Sequence, residues 1–184
     1  MRQLYYIRHG QTDDNKAHNW GHYETPLNDT GRQQAIQAGK LAKAKGLAFG
    51  AIVASPQPRA VETARLIATE IGFSHDKLKT MDELVERRMG PLCGQPYDDY
   101  FADGKVYRDL DGLTGIELLS DVQARAERAL SQVRQQAADC ILVVSHGAFG
   151  RAFHRAVMGL PYQDEYLTPQ PHDIIDNATI FRLI

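Results

Sequence analysis

The chain has 184 residues, 43% of them hydrophobic and 24% charged, with Lys plus Arg 21, Asp plus Glu 23 and a formal net charge of −2. That length suits one domain with a sizeable core, and the composition excludes a disordered or collagen-like chain. No long basic run marks a nucleic-acid partner, no apolar run approaches the roughly 18 residues of a membrane helix, and MRQLYYIRHG lacks a signal-peptide pattern.

Leu4 to Ile7 is a short apolar run between polar residues and reads as a buried strand. A polar loop is expected from Gln11 to Asn28. Thr30-Gly31-Arg32-Gln33 reads as a capping box with Thr30 as N-cap. Ala35, Ala38, Leu41 and Ala42 recur at helical spacing after it, and Gly46 supplies a stop. Ala51 to Ala54 reads as a second buried strand. Pro56 and Pro58 suit the first turn of a helix whose inner face is Val61, Ala64, Ile67, Ala68 and Ile71, ended by Gly72. A third strand is expected over Lys79 to Leu84. Gln95 to Gly112 has little periodicity and reads as a short insertion, with a cap segment at about 95–114. Thr114 and Glu117 form a second capping-box pattern before Leu118, Val122, Ala126, Ala129, Leu130 and Val133. Cys140 opens the apolar run CILVV, where a reduced core thiol is expected. Ile141 to Val144 is the clearest buried strand. A helix should follow from about Ala148 to Met158, then an irregular return through Pro161, Pro169 and Pro171, then a last strand from Thr179 to Ile184. Strands alternate with helices, so the expected class is α/β, with three α/β/α layers and a mostly parallel sheet. The expectation is one soluble cytoplasmic domain over 1–184, with no nucleic-acid or membrane partner and the oligomeric state open, a homodimer included. Two cysteines are too few for a disulfide framework or a cysteine-based zinc site.

In such sheets ligands bind beyond the carboxyl ends of the strands. His9 ends LYYIRHG and His146 ends ILVVSHG. Each is followed by a glycine, Gly10 and Gly147, which permits a tight turn and close approach of a ligand. Arg8 precedes the first histidine, and Arg59 stands in the first turn of the helix after the second strand. Helix N-termini attract anions, and the guanidinium fork suits phosphate oxygens. These four side chains at one sheet edge point to a phosphate site. His18 and His22 stand four apart in the glycine-containing segment HNWGHYE, which reads as loop rather than as a metal-binding helix. Tyr97, Tyr100 and Phe101 could stack on a substrate or form a local packing cluster.

RHGQTDDN resembles the R-H-G-x-[ST]-x-x-N segment of the histidine phosphatase superfamily, also called the phosphoglycerate-mutase-like family. PLNDTGRQQA, SPQPRAVETA, LVERRMGPLCG and VVSHGAF resemble its further blocks, in order and over nearly the whole chain. The resemblance implies a phosphoglycerate mutase-like fold and a covalent phosphohistidine mechanism that needs neither metal nor cofactor. His9 would be the nucleophile, its other ring nitrogen fixed as a donor to a carbonyl. Arg8, Arg59 and His146, the last as a donor and in charged form, would hold the equatorial oxygens. Gly10, Thr12, Asn15, Arg87 and Gly147 would complete the phosphate and substrate contacts. Glu86 would be the general acid. It is chosen by its place in the resemblance; Glu83 and Glu117 compete for the role.

The family holds mutases and phosphatases. Arg87 after Glu86 matches the mutase pattern. Ala148 after the second His-Gly, where mutases carry asparagine, does not. Gln95 to Thr114 is short and carries Asp98, Asp99, Asp103, Asp109 and Asp111 against Lys105 and Arg108. A mutase must retain a second anionic group while its intermediate reorients, and an acidic insertion suits that poorly. The expectation is a metal-independent phosphatase of the histidine acid phosphatase type acting on a small phosphorylated substrate. The alternatives are a mutase and, from another class, a non-catalytic phosphate-binding scaffold.

Overall fold

Strands β1 (Gln3–Arg8), β2 (Ala51–Ala54), β3 (Lys79–Thr80), β4 (Cys140–Ser145) and β5 (Phe181–Arg182) form one sheet in the order β3-β2-β4-β1-β5. All neighbours are parallel except β5, which runs against β1. The computed structural model describes residues 3–102, 107–160 and 175–184. The prolines Pro161, Pro169 and Pro171 of the expected irregular return lie outside these residues.

Alternation along the strands builds the three layers. Leu4, Tyr6, Val53, Ile141 and Val143 face one side and pack with Val122, Ala126, Phe149 and Phe153. Those partners belong to α5 (Leu119–Arg134) and α6 (Gly147–Met158). Tyr5, Ile7, Ile52, Ala54, Leu142 and Val144 face the other side and pack with Ala38, Ala42, Ala64 and Ile67. These come from α2 (Asp29–Ala44) and α3 (Pro58–Ile71). The expected α/β/α class therefore holds. α3 begins on Pro58 and ends on left-handed Gly72, as its sequence predicts.

Several boundaries differ from these expectations. The stretch expected as loop contains α1 (Asp13–Lys16), which Thr12 and Asn15 close as a reciprocal capping box. The N-cap of α2 is Asn28, not Thr30. Its side chain accepts from Gly31 N at 2.8 Å and its amide also reaches Gln11 and Asp13. Thr114 does not cap α5, whose N-cap position is Leu118 with no side-chain bond. Asp111 accepts from Leu119 N instead, at 3.2 and 3.3 Å. Glu117 is thereby free for a different role described below. β3 stops at Thr80 because the chain turns into a 3-10 helix over Asp82–Leu84 that buries Leu84. β5 is likewise shorter than the Thr179–Ile184 expected. Cys140 is half-buried rather than in the core, and both cysteines are free thiols.

A satellite cluster lies beside the main core. Trp20, Met89, Leu110 and Ile116 pack with Tyr97, Tyr100 and Phe101 of the insertion. Trp20 stands edge-on to all three rings at 5.9 to 6.1 Å. The aromatic stripe is thus a packing cluster. Tyr100 and Phe101 sit on α4 (Asp98–Ala102). The loop before the cluster is laced to it through Trp20 N to Gln95 O, Gly94 N to Trp20 O and Tyr97 N to His18 O. His18 pairs with Asp98, and no group of three metal-ligating side chains occurs among the described residues. No helix among the described residues is long and apolar enough to cross a membrane.

Candidate active site

β1 and β4 are adjacent, and Arg8 pairs in register with Ser145. The next residues are His9 and His146, so the sheet itself brings the two imidazoles together. Their centroids are 5.1 Å apart, edge to face. Both are buried, at 3% and 0% exposure.

His9 Nδ1 lies 2.7 Å from Gly10 O. A carbonyl only accepts, so Nδ1 carries the hydrogen and Nε2 presents its lone pair. Arg59 Nε donates to that Nε2 at 3.1 Å, and Arg59 Nη1 donates to His22 O and Tyr23 O. The ring's main chain is fixed too: His9 N donates to Ser145 O, and Asn177 Nδ2 donates to His9 O at 2.7 Å. Arg8 Nη1 donates to Ile175 O, and its guanidinium lies 3.6 Å from where a Cβ on Gly147 would stand. Arg8, His9, Arg59, His146 and Gly147 therefore meet at one sheet edge.

Gly10 also has a packing role within the fold. A Cβ there would collide with the backbone of Gly31, and one on Gly31 with Gln11. The glycine pair lets the loop after β1 press against α2. Thr12 is buried as the cap of α1, and Asn15 accepts from Thr12 N and from Asn177 at 3.4 Å. Arg87 bonds to the scaffold. Its fully buried side chain donates to Glu117 O at 2.9 Å and pairs with Asp111. The position that resembled the mutase pattern is thus occupied by a structural guanidinium.

Glu86 lies on the N-terminus of α6. Its Oε2 accepts from Gly147 N and Ala148 N, and its Oε1 from Phe149 N and Arg87 N, all at 2.8 to 3.1 Å. The segment carrying it is clamped by Arg125, which donates to Glu83 O and Val85 O. Glu117 meets Arg125 through both carboxylate oxygens at 2.9 and 3.0 Å. Burial alone would raise the Glu117 carboxyl, but bonds from Arg125 and Arg88 N bring it below its usual range. Of the competing acids, Glu117 is held in this ion pair, and Glu83 faces Gln132 at 2.7 Å.

Sequence reasoning passed over three supporting residues. The Tyr6 hydroxyl donates to His146 O at 2.8 Å and accepts from His146 N at 3.1 Å, holding both polar main-chain groups of that histidine. Gly150 leaves room for it, since a Cβ there would stand 2.6 Å from the hydroxyl. Ser55 bonds the His146 ring, and Asn177 the His9 carbonyl. A buried tyrosine needs a partner for its hydroxyl, which was the one available signal. Ser55 opens the segment SPQPRAVETA, whose resemblance assigned it no role, and nothing local announced Asn177.

Burial, then the charges of Arg59 and Arg8, hold His9 well below the ordinary imidazole value. Burial, then Arg59, His9 and Arg8, do the same to His146. Both rings are therefore neutral, and the charged His146 expected from the sequence is not found. The unfolded chain then binds more protons than the folded one below about pH 6.5. Stability should be fully present above that pH and fall as pH drops through it. The slope approaches about 1.4 kcal/mol per pH unit for each histidine. Urea unfolding between pH 7.5 and 5.5 checks this, and His9→Gln and His146→Gln should each flatten the fall.

The profile of the histidine phosphatase superfamily (branch 1) matches residues 4–183. The chain belongs to that superfamily. Its members are phosphatases or mutases. The chain is 27% identical over 180 residues to Broad-specificity phosphatase YOR283W of Saccharomyces cerevisiae, covering 94% of this chain and 74% of that one. It is 36% identical over 97 residues to a 2,3-bisphosphoglycerate-dependent phosphoglycerate mutase of Parvibaculum lavamentivorans, covering 52% of this chain. That match spans only 46% of the mutase. A solved structure of mycobacterial glucosyl-3-phosphoglycerate phosphatase in complex with VO3 superimposes with TM-score 0.80 and 24% identity, over 99% of this chain and 92% of that one. The fold of this superfamily member is thus phosphoglycerate mutase-like.

Proposed function

We propose that the protein is a phosphomonoester hydrolase that works through a phosphohistidine on His9, using a small phosphorylated metabolite as substrate. The observation that carries this reading is the fixed tautomer of His9, with Nδ1–H on Gly10 O and an Nε2 lone pair beside Arg59. Nε2 attacks phosphorus in line. The new N–P bond forms as the ester P–O bond breaks, and Glu86, having exchanged one of its four backbone N–H bonds for a proton as substrate enters, gives that proton to the leaving oxygen. Water then attacks phosphorus, the N–P bond breaks and Glu86 recovers a proton. Arg8, Arg59 and the N–H of His146 hold the equatorial oxygens, where charge spreads in the transition state. The Arg59–Nε2 bond gives way to a phosphoryl oxygen as substrate enters. Arginines supply positive charge in place of a metal, in a chain that would act in the cytoplasm.

Two observations favour hydrolysis over mutase chemistry. The broad-specificity phosphatase aligns with most of the chain, whereas the mutase aligns with about half. Arg87, the one residue that fitted the mutase pattern, is held by Asp111 and Glu117 O. Conversion of phosphoglycerate between isomers would reverse this choice.

Glu86→Gln tests the acid. An alkyl phosphate has a poor leaving group and needs the proton, so turnover should fall by about a hundred-fold or more. An aryl phosphate with an electron-withdrawing ring should be spared. Two of the four backbone N–H groups would face an amide NH2, so some melting temperature should be lost as well. Equal slowing on both esters would remove Glu86 from the role.

A further inference from the structure

The ring of His146 has one polar atom with a partner and one without. Its Nε2 lies 2.8 Å from Ser55 Oγ. Its Nδ1 is buried and has no partner among the described residues. Ser55 stands just past the end of β2 and is itself fully buried. We propose that Ser55 is a positioning residue that fixes His146 as its Nδ1–H tautomer, so that this hydrogen is offered to the phosphoryl group. The recipient rests on the proposed reaction; the tautomer does not.

Hydrogen accounting carries the assignment. A serine hydroxyl has one hydrogen and two lone pairs. Gln57 N donates to Ser55 Oγ at 3.3 Å, which uses one lone pair. The only other partner of that oxygen among the described residues is His146 Nε2. If the ring donated, the hydroxyl hydrogen would be buried with no acceptor, which folded proteins rarely tolerate. If the hydroxyl donates, both partners are satisfied and the ring hydrogen goes to Nδ1. Charge points the same way. The ring stands 5.1 Å from His9 and within the field of Arg59 and Arg8. A group gathered there to meet an anion must present a hydrogen rather than a lone pair. Burial keeps the ring neutral, so it has only one hydrogen to place. Tyr6 holds the main chain of the same residue from below, leaving ring protonation as the remaining freedom.

The tautomer can be read directly. In a long-range proton–nitrogen correlation spectrum of the ¹⁵N-labelled protein at pH 7.5, the ring signals lost in His146→Gln belong to His146. The expected result is a protonated Nδ1 and an unprotonated Nε2. Titration with inorganic vanadate should then shift the Nδ1 signal most. Ser55→Ala should weaken the Nδ1–H preference and lower kcat about ten-fold or more, with a smaller change in KM, while Ser55→Thr should restore both. A protonated Nε2 in the unsubstituted protein overturns the proposal, as does an unaltered tautomer and kcat in Ser55→Ala. If Ser55→Ala does not fold, the unsubstituted spectrum and Ser55→Thr still decide. A protein without phosphatase activity that showed Nδ1–H would sink the proposed reaction and leave the tautomer standing.

Discussion

His9→Ala is expected to abolish turnover of alkyl and aryl phosphates alike and to leave no phosphoryl label on the protein. The unsubstituted enzyme, quenched during turnover of a ³²P-labelled ester, should carry label that is lost in acid and kept in base. In the proposed reaction this ring is the nucleophile, and the other imidazole has its Nε2 on Ser55. Arg59→Ala should cost about 2.7–4 kcal/mol of transition-state stabilisation, or roughly a hundred- to a thousand-fold in turnover. Label that survives His9→Ala, or near-normal turnover in Arg59→Ala, would defeat the assignment.

Glu117→Gln should be the most damaging single change outside the reacting groups. The capping-box pattern would have made it mild, because glutamine also serves in such a box. The structure reverses that expectation. Glu117 is 6% exposed and meets Arg125 through both oxygens. Breaking a buried pair leaves a charge without its partner and typically costs about 3–5 kcal/mol. Arg125 keeps Glu83 O and Val85 O, which places the loss toward the lower end of that range. Urea unfolding measures it directly. A loss below about 1 kcal/mol would mean that the main-chain carbonyls alone satisfy the guanidinium.

The sheet and the two histidines were legible because they depend on short-range signals. LYYI and ILVV are apolar runs too short for helices, and each leads into a His-Gly pair. Parallel neighbours ending at the same level then do the rest, bringing together residues 137 positions apart (9 and 146). The caps were misread for the opposite reason. Thr30 and Thr114 carry the right local pattern, yet Asn28 and Asp111 win through bonds to groups elsewhere in the chain. Arg87 and Thr12 carry family-like side chains whose bonds go to the scaffold. Glu86 could be chosen only through the resemblance, since its surroundings depend on where α6 begins. Ser55, Tyr6 and Asn177 reach the histidines from distant segments, and although Ser55 lies in a block that carried the resemblance, its partner could not be read from spacing.

The clasp between residues 18–20 and 94–97 has a consequence for how this protein could diverge. Arg59 is held at Nη1 by the carbonyls of His22 and Tyr23, a few residues beyond the stretch that the insertion grips. The insertion and the arginine proposed to hold phosphate are thus joined by a short tether. Grafting a foreign insertion here would tug on the phosphate clamp itself. Changes of substrate preference should therefore arise more readily from side chains exchanged on the existing clasp than from replacing the clasp whole.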